Sequence, residues 1–119
     1  MQKFDFSYDN QNDDLFLCNP KSKSRGSVEL GDLVLDYNTK KELVGIKITN
    51  ASVLIKELVN EHSASIKRIL QTLLECKVDI KPQNNFLIVR LCLSSKYKEI
   101  SPILFIPHIN KSSPALAYT

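Results

Sequence analysis

Alternation of apolar and polar residues is clearest in two neighbouring stretches near the middle of the chain. Side chains on a strand change face at every residue, so each stretch is predicted to form a strand with one apolar face. The apolar positions are Leu33, Leu35, Tyr37, Val44, Ile46 and Ile48. Residues 38–42 between them are polar and few, which predicts an antiparallel hairpin. Gly31 and Asp32 interrupt the first strand, which begins near Ser27, and predict a bend or bulge there.

Two shorter strands are predicted before this hairpin. Residues 3–8 alternate Phe4 and Phe6 with polar neighbours, and residues 15–18 form a short apolar run. A polar turn, residues 9–13, joins them. The proline, glycine, serines and cations of residues 19–26 predict a loop.

After the hairpin the apolar period lengthens to that of a helix. Asn50 and Ser52 are suited to cap the start of a helix over residues 51–62. A second amphipathic helix is predicted by apolar residues at helical spacing. These residues are Ile66, Ile69, Leu70, Leu73 and Leu74. Ser63 and Ser65 favour a break between two helices over one bent helix.

The last third of the chain is predicted to return to strands. Residues 77–81 are predicted to open one strand, and residues 86–93 form a strongly apolar one. Pro102 and Pro107 cannot donate ladder hydrogen bonds, which predicts that residues 99–107 lie at a sheet edge or partly outside the sheet.

The predicted fold is therefore α+β, in the order β-β-β-β-α-(α)-β-β. We expect a small antiparallel sheet with one or two helices packed on one face. Residues 1–107 are predicted to form one domain, and residues 108–119 a C-terminal tail.

Composition indicates an ordinary globular protein, with 43% hydrophobic and 24% charged residues among 119. No run of about 18 apolar residues is present, so no transmembrane helix is predicted, and the first residues lack an apolar signal core. The three cysteines, Cys18, Cys76 and Cys92, follow no disulfide or metal pattern. We therefore expect reduced thiols in a cytoplasmic protein that does not bind a membrane.

Four segments of the first half are similar to one known pattern. An acidic turn before a strand, residues 8–17, is followed by Val-Leu-Asp-Tyr at 34–37, Val-Gly-Ile-Lys-Ile at 44–48 and Asn-Ala-Ser at 50–52. Over residues 4 to about 60 the chain resembles the YuzE-like family, small prokaryotic proteins of unknown function. Gln11 and Lys47 depart from the pattern, since relatives commonly have an acid at both positions.

The resemblance implies a small antiparallel sheet with a helix on one face, and it implies no known reaction. It also implies an antitoxin-type or partner-binding role, because relatives are encoded beside short toxin-like reading frames. If the acids replaced by Gln11 and Lys47 form a charged site in relatives, this chain lacks part of it.

The acidic turn, residues 9–13, is the candidate cation site. Asp9, Gln11 and Asp13 fit the start of a calcium loop. Asp14 then occupies the glycine position of that loop, and no glutamate closes it. A solvated turn whose side chains bind their own backbone is favoured over a metal site with Asp9 and Asp13 as ligands.

Other catalytic patterns are weak. His62 and His108 lack the spacing of a zinc site. Cys76 would need an activating base, and His62 is a distant candidate, so core packing is favoured. Only three glycines are present, which argues against a glycine-rich phosphate loop. We expect no catalytic residue and no cofactor.

Five cations, Lys21, Lys23, Arg25, Lys40 and Lys41, are candidates for contacting nucleic-acid phosphates. A net charge of +3 is small, and no aromatic residues are interleaved with these cations. The sequence therefore favours solvated loops and disfavours nucleic acid as a partner.

The leading functional hypothesis is that the chain is a non-enzymatic binding protein that forms a homodimer. A further protein is the other candidate partner. The reason is that strands near both ends of the chain leave sheet edges with unpaired backbone groups, which need covering. A metal-binding protein or small enzyme using the acidic turn is one alternative. Nucleic-acid binding through the five cations is the other.

Overall fold

The computed structural model describes residues 1–107, apart from the side chain of Ser63. The strands of this part are β1 (Gln2–Asp9), β2 (Asp14–Cys18), β3 (Gly26–Leu30), β4 (Leu33–Tyr37), β5 (Leu43–Ile48), β6 (Leu73–Gln83), β7 (Phe86–Ser95), β8 (Glu99–Ile100) and β9 (Ile103–Pro107). Two helices, α1 (Ala51–Val59) and α2 (Ser63–Gln71), lie between β5 and β6. The predicted tail, residues 108–119, and His108 lie outside the described residues.

The predicted order β-β-β-β-α-(α)-β-β is wrong. Over residues 1–107, five strands precede the helices and four follow them. The chain keeps the mixed character of the α+β class, but strands dominate and the helices are short. Two misassigned positions explain the extra strand before the helices and the early end of the second helix. The two further strands after the helices, β8 and β9, lie in the proline-bearing segment, residues 99–107.

The first misassigned position is Gly31. Leu30 pairs with Leu33, so the chain reverses direction completely at Gly31 and Asp32 instead of bending. Gly31 has a φ of +58°, which glycine adopts at no steric cost and which the tight two-residue turns of hairpins require. The single interrupted strand of the prediction is therefore the hairpin β3–β4.

The second misassigned position is Leu73, where β6 begins inside the predicted helix. Ile66, Ile69 and Leu70 lie on α2 and are at most 2% exposed, as their spacing predicts. Leu74 lies on β6 and is 61% exposed. The predicted break between the helices is confirmed, and Asn60 ends α1 in the left-handed conformation at φ 56°.

One antiparallel sheet runs through the described part of the chain in the order β3-β4-β5-β2-β1-β6-β7-β8, with β9 also on the outer side of β7. The strand β1 joins its two halves. Gln2, Lys3 and Phe4 pair with β6, whereas the residues from Asp5 to Asp9 pair with β2. The predicted edge position of the proline-bearing segment is confirmed, because β8 and β9 pair only with β7 among the described strands.

A single hydrophobic core lies between one face of this sheet and the helices. Leu15 and Leu17 on β2, Ile46 on β5 and Leu91 on β7 are at most 2% exposed and belong to the same cluster as Ile55 on α1. Neighbouring strand residues such as Phe16 face away from it. Neither of the two helices in the described range is long and apolar enough to cross a membrane.

Candidate functional site

The acidic turn is closed by its own side chains. The Asp9 carboxylate accepts hydrogen bonds from the backbone N–H groups of Gln11 (3.0 Å) and Asn12 (3.3 Å). It also accepts one from the Asn12 side-chain amide at 2.7 Å. These hydrogen bonds lower the pKa of Asp9. The carboxylate therefore stabilises the turn between β1 and β2 locally.

Asp13 is held at the start of α1. Its Oδ1 accepts a hydrogen bond from the Tyr8 hydroxyl at 2.6 Å, and its Oδ2 accepts one from the Ser52 hydroxyl at 2.7 Å. The Ser52 backbone N–H donates to both oxygens, at 3.1 and 3.2 Å. The Asp13 carbonyl oxygen accepts from the Ala51 N–H at 2.9 Å. Asp13 thus binds two of the N–H groups that a helix leaves unpaired at its first turn.

This cap replaces the one that the sequence predicts. Asn50 occupies the N-cap position, but it adopts a left-handed conformation and its side chain forms no capping hydrogen bond. Ser52 is inside the first turn and donates to Asp13 instead of accepting. A carboxylate at this end of a helix is also favoured by the helix dipole.

The ionisation of this cluster follows from its hydrogen bonds. Burial by itself favours the neutral acid, but the hydrogen bonds from Tyr8 and Ser52 outweigh it and lower the pKa of Asp13. Burial and the adjacent carboxylate raise the pKa of the Tyr8 phenol. Near neutral pH, Asp13 is therefore an anion and Tyr8 is a neutral hydrogen-bond donor.

The candidate metal ligands Asp9 and Asp13 are accordingly engaged with protein donors. Among the residues that the structure describes, no group of three or more histidine, cysteine, aspartate or glutamate side chains is placed to hold a metal ion. The cation-site hypothesis stays a prediction, which titration calorimetry with calcium, magnesium and manganese would test.

The sequence candidates for nucleophilic chemistry are separated. His62 is exposed and precedes α2. Cys76 lies fully buried on β6, where burial raises the pKa of its thiol to about 12. Cys92 is half-buried and donates to Glu99 Oε1 at 2.6 Å, and that hydrogen bond raises its pKa as well. Raised pKa values keep both thiols in the less reactive protonated form.

The fold brings four of the five candidate cations, Lys21, Lys23, Arg25 and Lys40, around one depression at the end of the sheet, and Lys41 lies on the same turn but lines a neighbouring pocket. The loop of residues 19–25 lies against the β4–β5 turn of residues 38–42, because the Arg25 N–H donates to the Tyr37 carbonyl oxygen at 2.7 Å. Asn38 Nδ2 also donates to Ser22 Oγ at 3.1 Å. An open depression of about 340 Å³ lies between the two segments. We call Lys21, Lys23, Arg25, Lys40 and Lys41 the cationic end.

A second surface, which the sequence analysis missed, lies on the outer face of β7 and β9. Phe105 is 67% exposed, and its ring meets Phe86 edge to face, with centroids 5.9 Å apart. Ile88 pairs with Phe105, and Ile103 follows on the same face of β9. We call Phe86, Ile88, Ile103 and Phe105 the edge patch. The sequence feature that indicates this surface is the alternation in residues 103–107, which places Phe105 on the opposite face of the strand from Leu104 and Ile106.

Comparison with known proteins finds similarity in the first half of the chain. Residues 5–52 match the family described as protein of unknown function DUF2283. They are similar to proteins without an assigned activity. An uncharacterized protein of Methanocaldococcus jannaschii is 36% identical over 52 residues, which cover 44% of this chain and 45% of the relative. The chain thus spans less than half the length of that relative.

The matched segment corresponds to a structural unit. Residue 5 is where β1 changes its pairing from β6 to β2, and residue 52 is the serine that Asp13 binds. The match therefore contains β2 to β5, the acidic turn and the capped start of α1. It supports the predicted kind of family, small proteins of unknown function, but does not confirm the YuzE-like name. No solved structure matches the chain.

Proposed function

We propose that this chain is a non-enzymatic binding protein that forms a homodimer through its β9 edge and the adjoining edge patch. The observation that carries the proposal is an aromatic pair, with Phe105 exposed and Phe86 half-buried, beside a sheet edge that no strand of residues 1–107 covers. Phe86 and Phe105 contact each other on the surface, and Phe105 leaves two thirds of its area to solvent.

The chemistry of the β9 edge suits a second copy of the same strand. On one side β9 pairs with β7, and no strand in residues 1–107 pairs with its other side. Residues 103–107 carry no charge, whereas β3 at the opposite end of the sheet carries Glu29. Charges at an edge oppose strand addition, and an uncharged edge favours it.

A twofold interface would use the edge patch twice. In such an interface each residue of one protomer meets the same surface on its partner. Antiparallel addition of β9 to β9 satisfies backbone groups on both strands. It also covers Phe105 in each protomer, and burying such a side chain contributes on the order of 2 kcal/mol.

The environments of the candidate reactive side chains support a non-enzymatic role. Asp13 is occupied as a helix cap, and the thiol of Cys76 is buried with a raised pKa. A nucleophile needs an activating base within reach, and no base hydrogen-bonds to Cys76 among the described residues. Binding through surfaces accounts for the exposed groups without a reactive centre.

Sedimentation over a wide range of protein concentrations tests the dimer. We expect the wild-type chain to dimerise and Phe105→Glu to be monomeric, because the twofold would bring two carboxylates together. Phe16→Glu is the matched control, since Phe16 is also an exposed strand aromatic, at 40% exposure, but lies on β2 in the other half of the sheet. A monomeric wild type at high concentration, or equal dissociation of both variants, would exclude the proposal.

An antitoxin-like role is the special case in which a different chain occupies the same edge. Purification of the native protein from its source, with identification of any chain that comes with it, distinguishes the two occupants. The free state of Cys18, Cys76 and Cys92 supports a reducing, cytoplasmic location for either.

A further inference from the structure

The positive charge of this protein is concentrated at one end. Residues 19–25 and 38–42 contain five cations and one acid, Glu42, and so carry +4. The whole chain carries +3, so all other residues together carry −1. Charge gathered in this way produces a local field that the modest total does not reveal.

The cations of this end are available to a ligand. The ion pairs within residues 1–107 involve Lys3, Lys77, Lys81 and Lys98, and none involves the cationic end. The one acid on the depression, Glu42, accepts a hydrogen bond from Asn38 Nδ2 at 2.9 Å. Lys21, Lys23 and Arg25 are all exposed.

The backbone that carries these cations is ordered by asparagine side chains. Asn19 Oδ1 accepts from the Lys21 N–H at 2.9 Å. Asn38 Oδ1 accepts from the N–H groups of Lys40 at 2.9 Å and Glu42 at 3.0 Å. Together with the Asn38–Ser22 hydrogen bond, these contacts fix both loops relative to each other. A ligand therefore meets a preorganised set of charges, which lowers the entropic cost of binding.

The lining of the depression indicates which anion fits. Beside the cations and Glu42 it contains only hydroxyl and amide side chains, those of Ser22, Asn38 and Thr39. These groups donate to phosphate oxygens, as cations do. No aromatic residue is present to stack on an unpaired base, and no apolar residue is present to enter a lipid surface.

We propose that the cationic end binds the phosphate backbone of double-stranded nucleic acid, DNA or RNA. The sequence alone disfavours this partner, because the net charge is small and no aromatic residues are interleaved with the cations. The fold joins the two cationic segments into one surface, which the net charge of the chain does not reveal. The proposal does not depend on the dimer, since the cationic end and the edge patch share no residue.

Fluorescence anisotropy of the full chain with labelled duplex DNA and duplex RNA of random sequence tests the proposal. For about four neutralised phosphates on DNA, the slope of log affinity against log salt is about −3.6. This slope corresponds to a loss of about 150-fold between about 50 mM and about 200 mM salt. The arm with the higher affinity identifies the nucleic acid.

The variant Lys21→Gln, Arg25→Gln, Lys40→Gln removes three charges from the cationic end. We expect its affinity to fall more than about tenfold at low salt and its slope to approach about −1. All three residues are exposed, so the fold tolerates the changes.

A second triple variant, Lys56→Gln, Arg90→Gln, Lys96→Gln, is the matched control. It has the same residue types and the same net charge, and its exposed residues lie elsewhere on the molecule. We expect it to keep its affinity within about twofold. Equal losses in both variants would overturn the proposal, as would the absence of binding to either duplex at low salt. Tighter binding to phosphatidylserine vesicles or to polyglutamate than to both duplexes would also overturn it.

Discussion

The carboxylate of Asp13 caps a helix that starts far along the chain, by accepting hydrogen bonds from the N–H and the hydroxyl of Ser52. The two residues are 39 positions apart. This contact ties the β1–β2 turn to α1 across the four strands β2 to β5, and both of its residues lie within the family match. It gives the acidic turn a structural role in the fold.

Replacing Asp13 by asparagine is expected to destabilise the protein by about 2 kcal/mol, because the negative charge and one of the two accepting oxygens are lost while the Tyr8 and Ser52 donors remain. Asparagine tolerates the left-handed backbone at this position, where φ is 56°. Asp14→Asn is the control, since no hydrogen bond to the Asp14 side chain is seen in the described chain. Urea unfolding monitored by circular dichroism gives both values. Equal costs for the two variants would show that the cap contributes nothing.

The same carboxylate is expected to make stability depend on pH in the acid range. The pKa of Asp13 is lowered in the folded state, and that of an unfolded aspartate is about 3.9. Its contribution is therefore complete above about pH 4 and is lost as the pH falls through the folded-state pKa. The difference in unfolding free energy between wild type and Asp13→Asn should stay constant near neutral pH and shrink in acid. A difference that grows in acid would contradict the assignment.

The three thiols are expected to react at different rates with a disulfide reagent. Cys18 is exposed and should react first, whereas the thiol of Cys76 is fully buried, with its pKa raised to about 12. Cys92 is half-buried, and its hydrogen bond to Glu99 should slow it. Absorbance of the released thiolate gives the rates, and Cys18→Ser should remove the fast phase alone. A fast phase that persists in Cys18→Ser would show that Cys76 or Cys92 is accessible.

Replacing Gly45 by alanine is expected to destabilise the protein by about 1–3 kcal/mol through overpacking. A Cβ atom at this position would lie 2.6 Å from Asp36 Oδ2 and 3.0 Å from Asp36 Cβ. The glycine thus makes room for the side chain that pairs with it across β4 and β5. In an Asp36→Ala background the cost of Gly45→Ala should fall by more than half. Additive effects of the two changes in unfolding free energy would exclude this contact as the cause.

Much of the strand content could be predicted because burial imposes a period of two. Leu33 to Tyr37 and the segment around Leu91 each alternate between a buried and a less buried face, and this alternation identifies them. In Leu43 to Ile48 the residues from Leu43 to Ile46 are all buried, so the apolar residues Val44, Ile46 and Ile48 identify the strand although both of its faces are covered. The chain reversal at Gly31–Asp32 was harder to predict, because the same residue types are typical of a bulge and of a tight turn. Leu73 and Leu74 continued a helical spacing by coincidence, since tertiary pairing with β7 determines where β6 begins.

The candidate surfaces depend on contacts that sequence patterns do not encode. Sequence reasoning correctly placed cations in two loops, but only the fold shows that Ser22 and Asn38 hold those loops together. The sequence likewise identifies Asp13 and Ser52 only as two separate polar residues. Their pairing depends on how the four intervening strands, β2 to β5, return the chain to the same end of the sheet.

The divided pairing of β1 has a consequence for biosynthesis. Gln2 leaves the ribosome well before its partner Val78, which is translated only after both helices. The half that contains β2 to β5 has its partners close in sequence, and such local contacts form early. The segment of β1 that pairs with β6 must therefore wait for its partner during synthesis, and the two halves of the sheet join only after β6 has emerged.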